Sequence, residues 1–541
     1  MKRNKIYAFI VLQTIFLILS CSEEFLDRRP LDRLVTGNYY KTSEGIQAAA
    51  NAMYSPLGEE GFNGKTYWMI GDGASDDAQP NGNDPDYLPI DQFTLASDNE
   101  RNAALWQTIY KMITLTNIVL ENVVDNSAEQ DLLDRVTGEA LMLRAYGYFI
   151  LVQLYSDVPL IMEGMTAEEL LAPSRTSAYE IYLRIVEDLE RATELLPAKS
   201  EYVGDDIGRV NKHAAMGMLA KVYMTIAGDL SMYNTENNPD NDTRIRSIAD
   251  PQIGFELALD LCDEIINSGE YQLLEDFRTV FNYPDGQNCA ESIWQLQFIG
   301  CGSRHGSGNM RQAFWAPWDS QITGRADGWG THSPHSDLAR CFYDNPDDLI
   351  IEGNAVDTIN VVPPDDLRFR ETLMFPGVEY PELPVGAEGT PYALPYQYGA
   401  SGFACKKYVI GTAGGCNQSM KDPNNVYILR LADIHLLKAE CLVELNRSAE
   451  AAPVLDGIRT RAGKPLISPS LSQSEMRDIV RLERRRELAL EQQRWFDILR
   501  WGIAIDVLAT QDIILETERR LFPIPSTEIA LNENLVQNTG Y

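Results

Sequence analysis

Basic charge is scarce in this chain. It has 46 Lys and Arg against 79 Asp and Glu in 541 residues, a formal net charge of −33. An acidic surface of that size repels phosphate backbones, which argues against nucleic acid as a partner. It also argues against docking on anionic lipid through a basic patch. Closely spaced cysteines are lacking too. Of the eight, the nearest pair, Cys405 and Cys416, is eleven residues apart, so no C-x-x-C metal or redox motif exists. The chain has no G-x-S-x-G elbow, no Walker or dinucleotide loop and no Asp-x-Asp-x-Asp-Gly loop, and no cofactor is implied. The apolar run Tyr7 to Leu19 has thirteen residues, too short to span a bilayer of roughly 30 Å. What remains is an ordinary folded composition: 44% hydrophobic, 9% aromatic and 23% charged.

The short apolar run has a specific setting. Lys2, Arg3 and Lys5 precede it, and Ser20 and Cys21 follow. That is the layout of an export signal, and a cysteine at the cleavage point is expected to be lipidated, as in a bacterial lipoprotein. The box Ile18-Leu19-Ser20-Cys21 departs from the commonest pattern, which has Leu three before the Cys. Acyl chains on Cys21 would anchor the protein without a spanning helix. Seven cysteines would then remain, an odd number. Cys289–Cys301 and Cys405–Cys416 are candidate loop disulfides. Cys262 and Cys441 sit on apolar helix faces and read as core residues.

Helical periodicity dominates both ends of the chain. Leu132, Val136, Ala140, Leu143, Gly147, Ile150, Leu151 and Leu154 share one helix face, stopped by Ser156-Asp157-Val158-Pro159. Ile181 to Leu196 predicts a second helix, ended by Pro197. Asn211 is an N-cap for a third, and Phe255 to Ile266 makes a fourth, closed by Gly269. Leu431 to Leu445, Ala449 to Thr460 and Glu475 to Leu499 follow. The expected fold is mainly α, a tetratricopeptide-like scaffold of helical hairpins with minor β elements, although no strict 34-residue period can be read. The middle differs. Asn282 to Pro334 carries eight glycines and four of the eight tryptophans, and seven prolines between Val361 and Tyr396 forbid a long helix. The expectation is one domain over 21–541 after a signal peptide, 1–20. Its scaffold falls at about 21–57, 100–280 and 425–541, and its loop-rich parts at about 58–99 and 282–424. Long irregular segments in a compact protein are usually functional.

Several boxes form an ordered set along the chain. They begin with Cys21-Ser-Glu-Glu-Phe-Leu-Asp27 and Pro30, then Trp106-Gln-Thr-Ile-Tyr110 through Asn117, Leu120 and Glu121. Next come Glu139-Ala-Leu-Met-Leu-Arg144-Ala-Tyr146-Gly-Tyr148-Phe149 and Gly208-Arg-Val-Asn211-Lys-His-Ala214-Ala215. Leu429-Arg430-Leu431-Ala432-Asp433 through Glu440 and the box Glu483-Arg484, Glu487-Leu488, Glu491, Arg494-Trp495 complete the order, with Phe522-Pro-Ile-Pro525 last. Together they resemble the SusD/RagB family of surface nutrient-binding lipoproteins. Gln492 stands where that family often has glycine. The resemblance implies a non-catalytic lipoprotein on the outer membrane, exposed at the cell surface. It would capture oligosaccharides, or in some members peptides, for a SusC-like TonB-dependent transporter.

A sugar binder needs aromatic platforms beside carboxylate, amide and guanidinium groups. Trp315, Trp318 and Trp329 have that composition, with Arg311, Asp319, Gln321 and Arg325 among them. The stretch 66–101 adds Tyr67, Trp68, Asp72, Asp76, Asp77, Asn81, Asn83, Tyr87 and Arg101, and Ser75-Asp76-Asp77 resembles a polar motif near the ligand in some family members. The plainer alternative is that these tryptophans plug loops onto the helical core. His332, His335, Asp337 and His305 read as a turn entering a helix rather than a metal site, because Pro334 breaks the spacing. Glu483, Glu487 and Glu491, interleaved with Arg484, Arg485, Arg486 and Arg494, read as a salt-bridged helix rather than a glycoside-hydrolase pair.

Overall fold

The computed structural model of the chain describes residues 40–81, 85–124, 126–228, 243–299, 309–317, 328–349, 362–375, 380, 401–410 and 421–541. Helix makes up 57% and strand 6% of the described residues, so the architecture is mainly α with minor β elements. The helices that position the site are, in the first half, α1 (Ser43–Met53), α2 (Thr66–Gly73), α3 (Glu100–Val123), α4 (Gln130–Tyr155), α5 (Ala178–Leu195), α6 (Lys212–Ile226) and α7 (Pro251–Asn267). The second half contributes α8 (Arg311–Trp315), α9 (Leu431–Glu444), α10 (Ser448–Arg461), α11 (Gln473–Glu487) and α12 (Arg494–Arg500). Among the described residues the strands form only antiparallel pairs. β1 (Ala78–Pro80) pairs with β5 (His332–Pro334), and β2 (Val158–Pro159) with β3 (Arg175–Thr176). β4 (Ser292–Leu296) pairs with β8 (Val426–Arg430), and β6 (Leu373–Met374) with β7 (Ala404–Cys405).

The helices stack in succession: α3 on α4, α4 on α5, α5 on α6, α6 on α7, α7 on α9, and α9 on both α10 and α11. Local chemistry sets their ends. The Asn211 side chain accepts from the Ala214 N–H at the start of α6, and Asn99 accepts from the N–H groups of Arg101 and Asn102 at the start of α3. Gly147 keeps α3 and α4 close, since a Cβ there would stand 3.0 Å from Met112 Cε and 3.2 Å from Ile109 Cγ2.

Buried ion pairs then lock the stack. Arg144 donates to both carboxylate oxygens of Asp188 at 2.7 and 2.8 Å and to Asn117 Oδ1 at 2.9 Å, tying α4 to α5 and α3. At the end of β8, Arg430 donates to Glu291 and Glu487 at 2.7 Å and to both oxygens of Glu491 at 2.8 Å. Arg461 reaches Glu291 and Glu487 at 2.6 Å, and Arg368 reaches Asp366, Glu483 and Glu487. Burial alone would raise the Glu487 carboxyl, but Arg461, Arg430 and Arg368 hold it far below the usual range.

Two expectations change here. The single helix over Glu475 to Leu499 is split: α11 stops at Glu487 and α12 restarts at Arg494, with Leu490 and Gln492 at φ values of 61° and 65°. The break lets the Gln492 N–H donate to Asp72 Oδ1 at 2.8 Å, where α2 passes. The contact is close enough that a Cβ on Gly71 would lie 2.7 Å from the Gln492 carbonyl oxygen. The second concerns sulfur. Cys289 and Cys405 carry free thiols, as do Cys262, Cys341 and Cys441, while Cys301 and Cys416 lie outside the described residues.

Candidate functional site

The loop face singled out from the sequence folds largely inward. Trp68 is fully buried on α2, its Nε1 donating to the Gly64 carbonyl at 3.1 Å. Its ring meets Trp315 at 5.5 Å, Phe314 at 5.6 Å and the edge of His332 at 4.5 Å, and Tyr87 stacks on His332 at 4.1 Å. Trp315 is 1% exposed. Tyr67 is buried between Phe62 and Phe496. Asp76 accepts from Arg494 Nε and Nη2 at 2.6 and 2.9 Å, and Asp77 accepts from Arg485 Nε at 2.7 Å. Tyr67, Trp68, Trp315, Asp76 and Asp77 therefore belong to the interior. The aromatic rings join α2, α8 and β5, and the carboxylates neutralise arginines of the C-terminal box. A ring enclosed on both faces has no surface left for a sugar.

Trp329 and Arg101 stay nearer solvent. Trp329 is half-buried, its ring edge-on to Phe314 at 5.0 Å. Arg101, about a quarter exposed, binds Asp86 and Glu60 at 2.7 Å each. Trp318 and Arg325, with Asp319 and Gln321, lie outside the described residues, as does Asn83. The His332 imidazole is held neutral by burial, reinforced by the charge of Lys65. His335 uses its side chain to accept from the Asp337 N–H, the turn into a helix that the sequence predicts. Among the described residues no cluster of three His, Cys, Asp or Glu could hold a metal ion.

A wide groove lies elsewhere. A cleft of about 550 Å³ opens between the C-terminal end of α1, the 204–209 loop and the end of β4. A second hollow of about 290 Å³ shares Ile207, Gly208, Arg209, Trp294 and Gln295 with it, so the two are continuous. The chain leaves β4 through exposed Gln297, half-buried Phe298 and Ile299, which is 77% exposed. Interlocked amides hold this exit in place. Asn425 Nδ2 donates to Gln295 Oε1 and Gln297 Oε1, its Oδ1 accepts from the Phe298 N–H at 2.9 Å, and Asn288 and Gln297 exchange two hydrogen bonds. Opposite, Gly208 sits at φ 95° against Gln297, where a Cβ would stand 2.3 Å from Gln297 Cδ. Only glycine fits that approach.

Cations around the groove are already engaged. Arg209 binds Glu139 at 3.0 Å and also reaches Asp206 and Asn51, with Tyr54 beneath it at 5.9 Å. Lys111 binds Glu59 at 2.6 Å, and Lys199 donates to the carbonyls of Cys289 and Ser292. Asp205 is exposed and makes no ion pair among the described residues. Sequence reasoning missed this groove. The signals were present, in the apolar pair Phe298-Ile299 just past the end of β4 and in Gly208 opening a family box. Neither spacing says that the two segments meet.

Known proteins fit this fold throughout. The SusD family model matches residues 290–541, and a model described as starch-binding and associating with the outer membrane matches residues 24–224. The chain belongs to the SusD/RagB family. It is 27% identical to SusD-like protein P2 of Formosa agariphila, with all of both chains covered. It is 25% identical to a SusD-like protein of Bacteroides ovatus, over 91% of this chain and 82% of the other. Among solved structures, a laminarin-binding SusD-like protein superposes with a TM-score of 0.72 at 22% identity, covering 92% of this chain and 99% of that one. Surface glycan-binding protein A from Bacteroides fluxus gives 0.71 at 21% identity, covering 92% and 100%.

Proposed function

We propose that this chain is a cell-surface lipoprotein, anchored through Cys21 as one domain over 21–541. It captures oligosaccharides without cleaving them and passes them to a SusC-like TonB-dependent transporter. The observation that carries this reading is membership of the SusD/RagB family along nearly the whole chain, beside similarly folded proteins named for binding laminarin and surface glycans. A non-catalytic role is supported by the carboxylates that a hydrolase reading would choose. Glu483, Glu487 and Glu491 are buried and bound to Arg368, Arg430, Arg459, Arg461 and Lys407. A glycosidase acid must instead face the scissile oxygen. On the loop face, the residues kept as ligand candidates are Trp329 and Arg101, with Trp318 and Arg325. A peptide-capturing role is the competing reading, favoured by Asp205, which has no ion pair among the described residues and lines the same groove as apolar Phe298 and Ile299.

Native affinity electrophoresis of the full chain against neutral, acidic and host-type polysaccharides tests the proposal. Retardation by a glycan whose chains keep their length is the expected result. Shortened chains would reveal an enzyme. Retardation by no glycan would move the ligand to peptides.

A further inference from the structure

We propose that the groove between the end of α1, the 204–209 loop and the exit of β4 is a binding subsite for an uncharged oligosaccharide. This rests on the carbohydrate-capture reading above and adds to it the place and the chemical class of the ligand. The half-buried ring of Phe298 lines the groove, its edge close to the Gly58 backbone: a Cβ on Gly58 would stand in van der Waals contact, 3.6 Å from Phe298 Cε1. The part of the ring that stays exposed is an apolar platform for the CH face of a sugar, and a side chain at position 58 would crowd it. Hydroxyl partners stand nearby. Asp205 offers an unpaired carboxylate, and Ser55 an exposed hydroxyl with no partner among the described residues.

Charge sets the class. The cations that line the groove are committed, Arg209 to Glu139 and Asp206 and Lys199 to two carbonyls, and Lys111 beside it binds the groove's Glu59. Sulfate or uronate groups would meet Asp205 and no free guanidinium or ammonium among the described residues, a repulsion with nothing to offset it. The interlocked amides of Asn288, Gln297 and Asn425 fix the floor before the ligand arrives, so little ordering cost remains.

The test uses the full chain in detergent and isothermal titration against laminarin, dextran, xyloglucan and galactomannan as neutral chains, alginate as a polyuronate, and polylysine. Three variants are compared: Phe298→Ala, Gly58→Leu, which lays a side chain over the ring without truncating anything, and Trp329→Ala on the loop face. The expected result is binding of at least one neutral chain, weakened about tenfold or more by Phe298→Ala and by Gly58→Leu. Circular dichroism should show both variants still folded. Unchanged binding in folded Gly58→Leu, with loss only in Trp329→Ala, would overturn the subsite and leave capture standing. Tighter binding of alginate than of any neutral chain, or of polylysine in a Gly58-dependent manner, would overturn the ligand class. Failure of the unmodified chain to bind any polysaccharide would overturn capture and subsite together.

Discussion

Asp72 in α2 and Asp76, in the turn three residues beyond its end, titrate in opposite directions. Burial pushes the Asp72 carboxyl up to about 8, only partly offset by the Gln492 N–H. A raised carboxyl stabilises the fold below its unfolded value near 4 and loses that contribution as pH climbs through about 8. For Asp76, burial also pushes upward, but Arg485 and Arg494 outweigh it and hold the carboxyl down at about 2. Its contribution is present above pH 4 or so and is lost as pH falls through about 2. Asp72→Asn should therefore melt higher than the unmodified chain at about pH 8 and the same at about pH 4. Asp76→Asn should melt lower at neutral pH, the deficit shrinking in acid. Thermal melts across that range check both signs. Gln492 adds a third residue-scale case, because it holds φ 65° where the family often has glycine. Gln492→Gly should leave the melting temperature unchanged or raise it, relieving about 1 kcal/mol of backbone strain, while Gln492→Val should lower it.

At the scale of elements, the C-terminal box joins parts of the chain that sequence separates widely. Arg430 on β8 reaches Glu291 before β4, Glu487 at the end of α11 and Glu491 just beyond it. The strand pair that ends in the groove is thus bolted to α11 through one guanidinium. Arg430→Met removes the cation and leaves three buried carboxylates short of a partner, a change that costs about 3–5 kcal/mol. Urea titration should show that loss. Protection of β4 and β8 amides should fall before that of α4 and α5, whose own lock is Arg144 with Asp188.

For the whole molecule, the proposed anchoring has to be weighed with the charge. With a net charge of −33 the chain has no electrostatic attraction to an anionic leaflet, so under the anchoring proposed above its retention there would depend on acylation of Cys21. Each buried CH₂ contributes about 0.8 kcal/mol, enough for several chains to hold a protein of this size. Cys21→Ala should move the full chain from the detergent phase to the aqueous phase in Triton X-114 partition. A Cys21→Ala chain that stayed in the detergent phase would overturn the anchoring reading.

Much of the scaffold was determined by the sequence. Period-3.6 faces, the Asn211 cap and the stop at Pro197 are local, and local rules read them correctly because neighbouring residues satisfy them. Family boxes were equally legible, and in the stack Arg144 pairs with Asp188, Arg430 with Glu487 and Asp497 with Arg484. Tertiary structure decided the rest. Whether Trp68 and Trp315 face solvent or each other depends on how α2, α8 and β5 meet, and composition is the same in either case. The break at Gln492 follows from Asp72 approaching its N–H from a distant helix, which no helical period encodes. The groove arises because Gly58, Gly208 and Phe298 converge from three separate segments. Only the folded chain brings them together, for such long-range contacts depend on the packing of whole elements and not on spacing along the backbone.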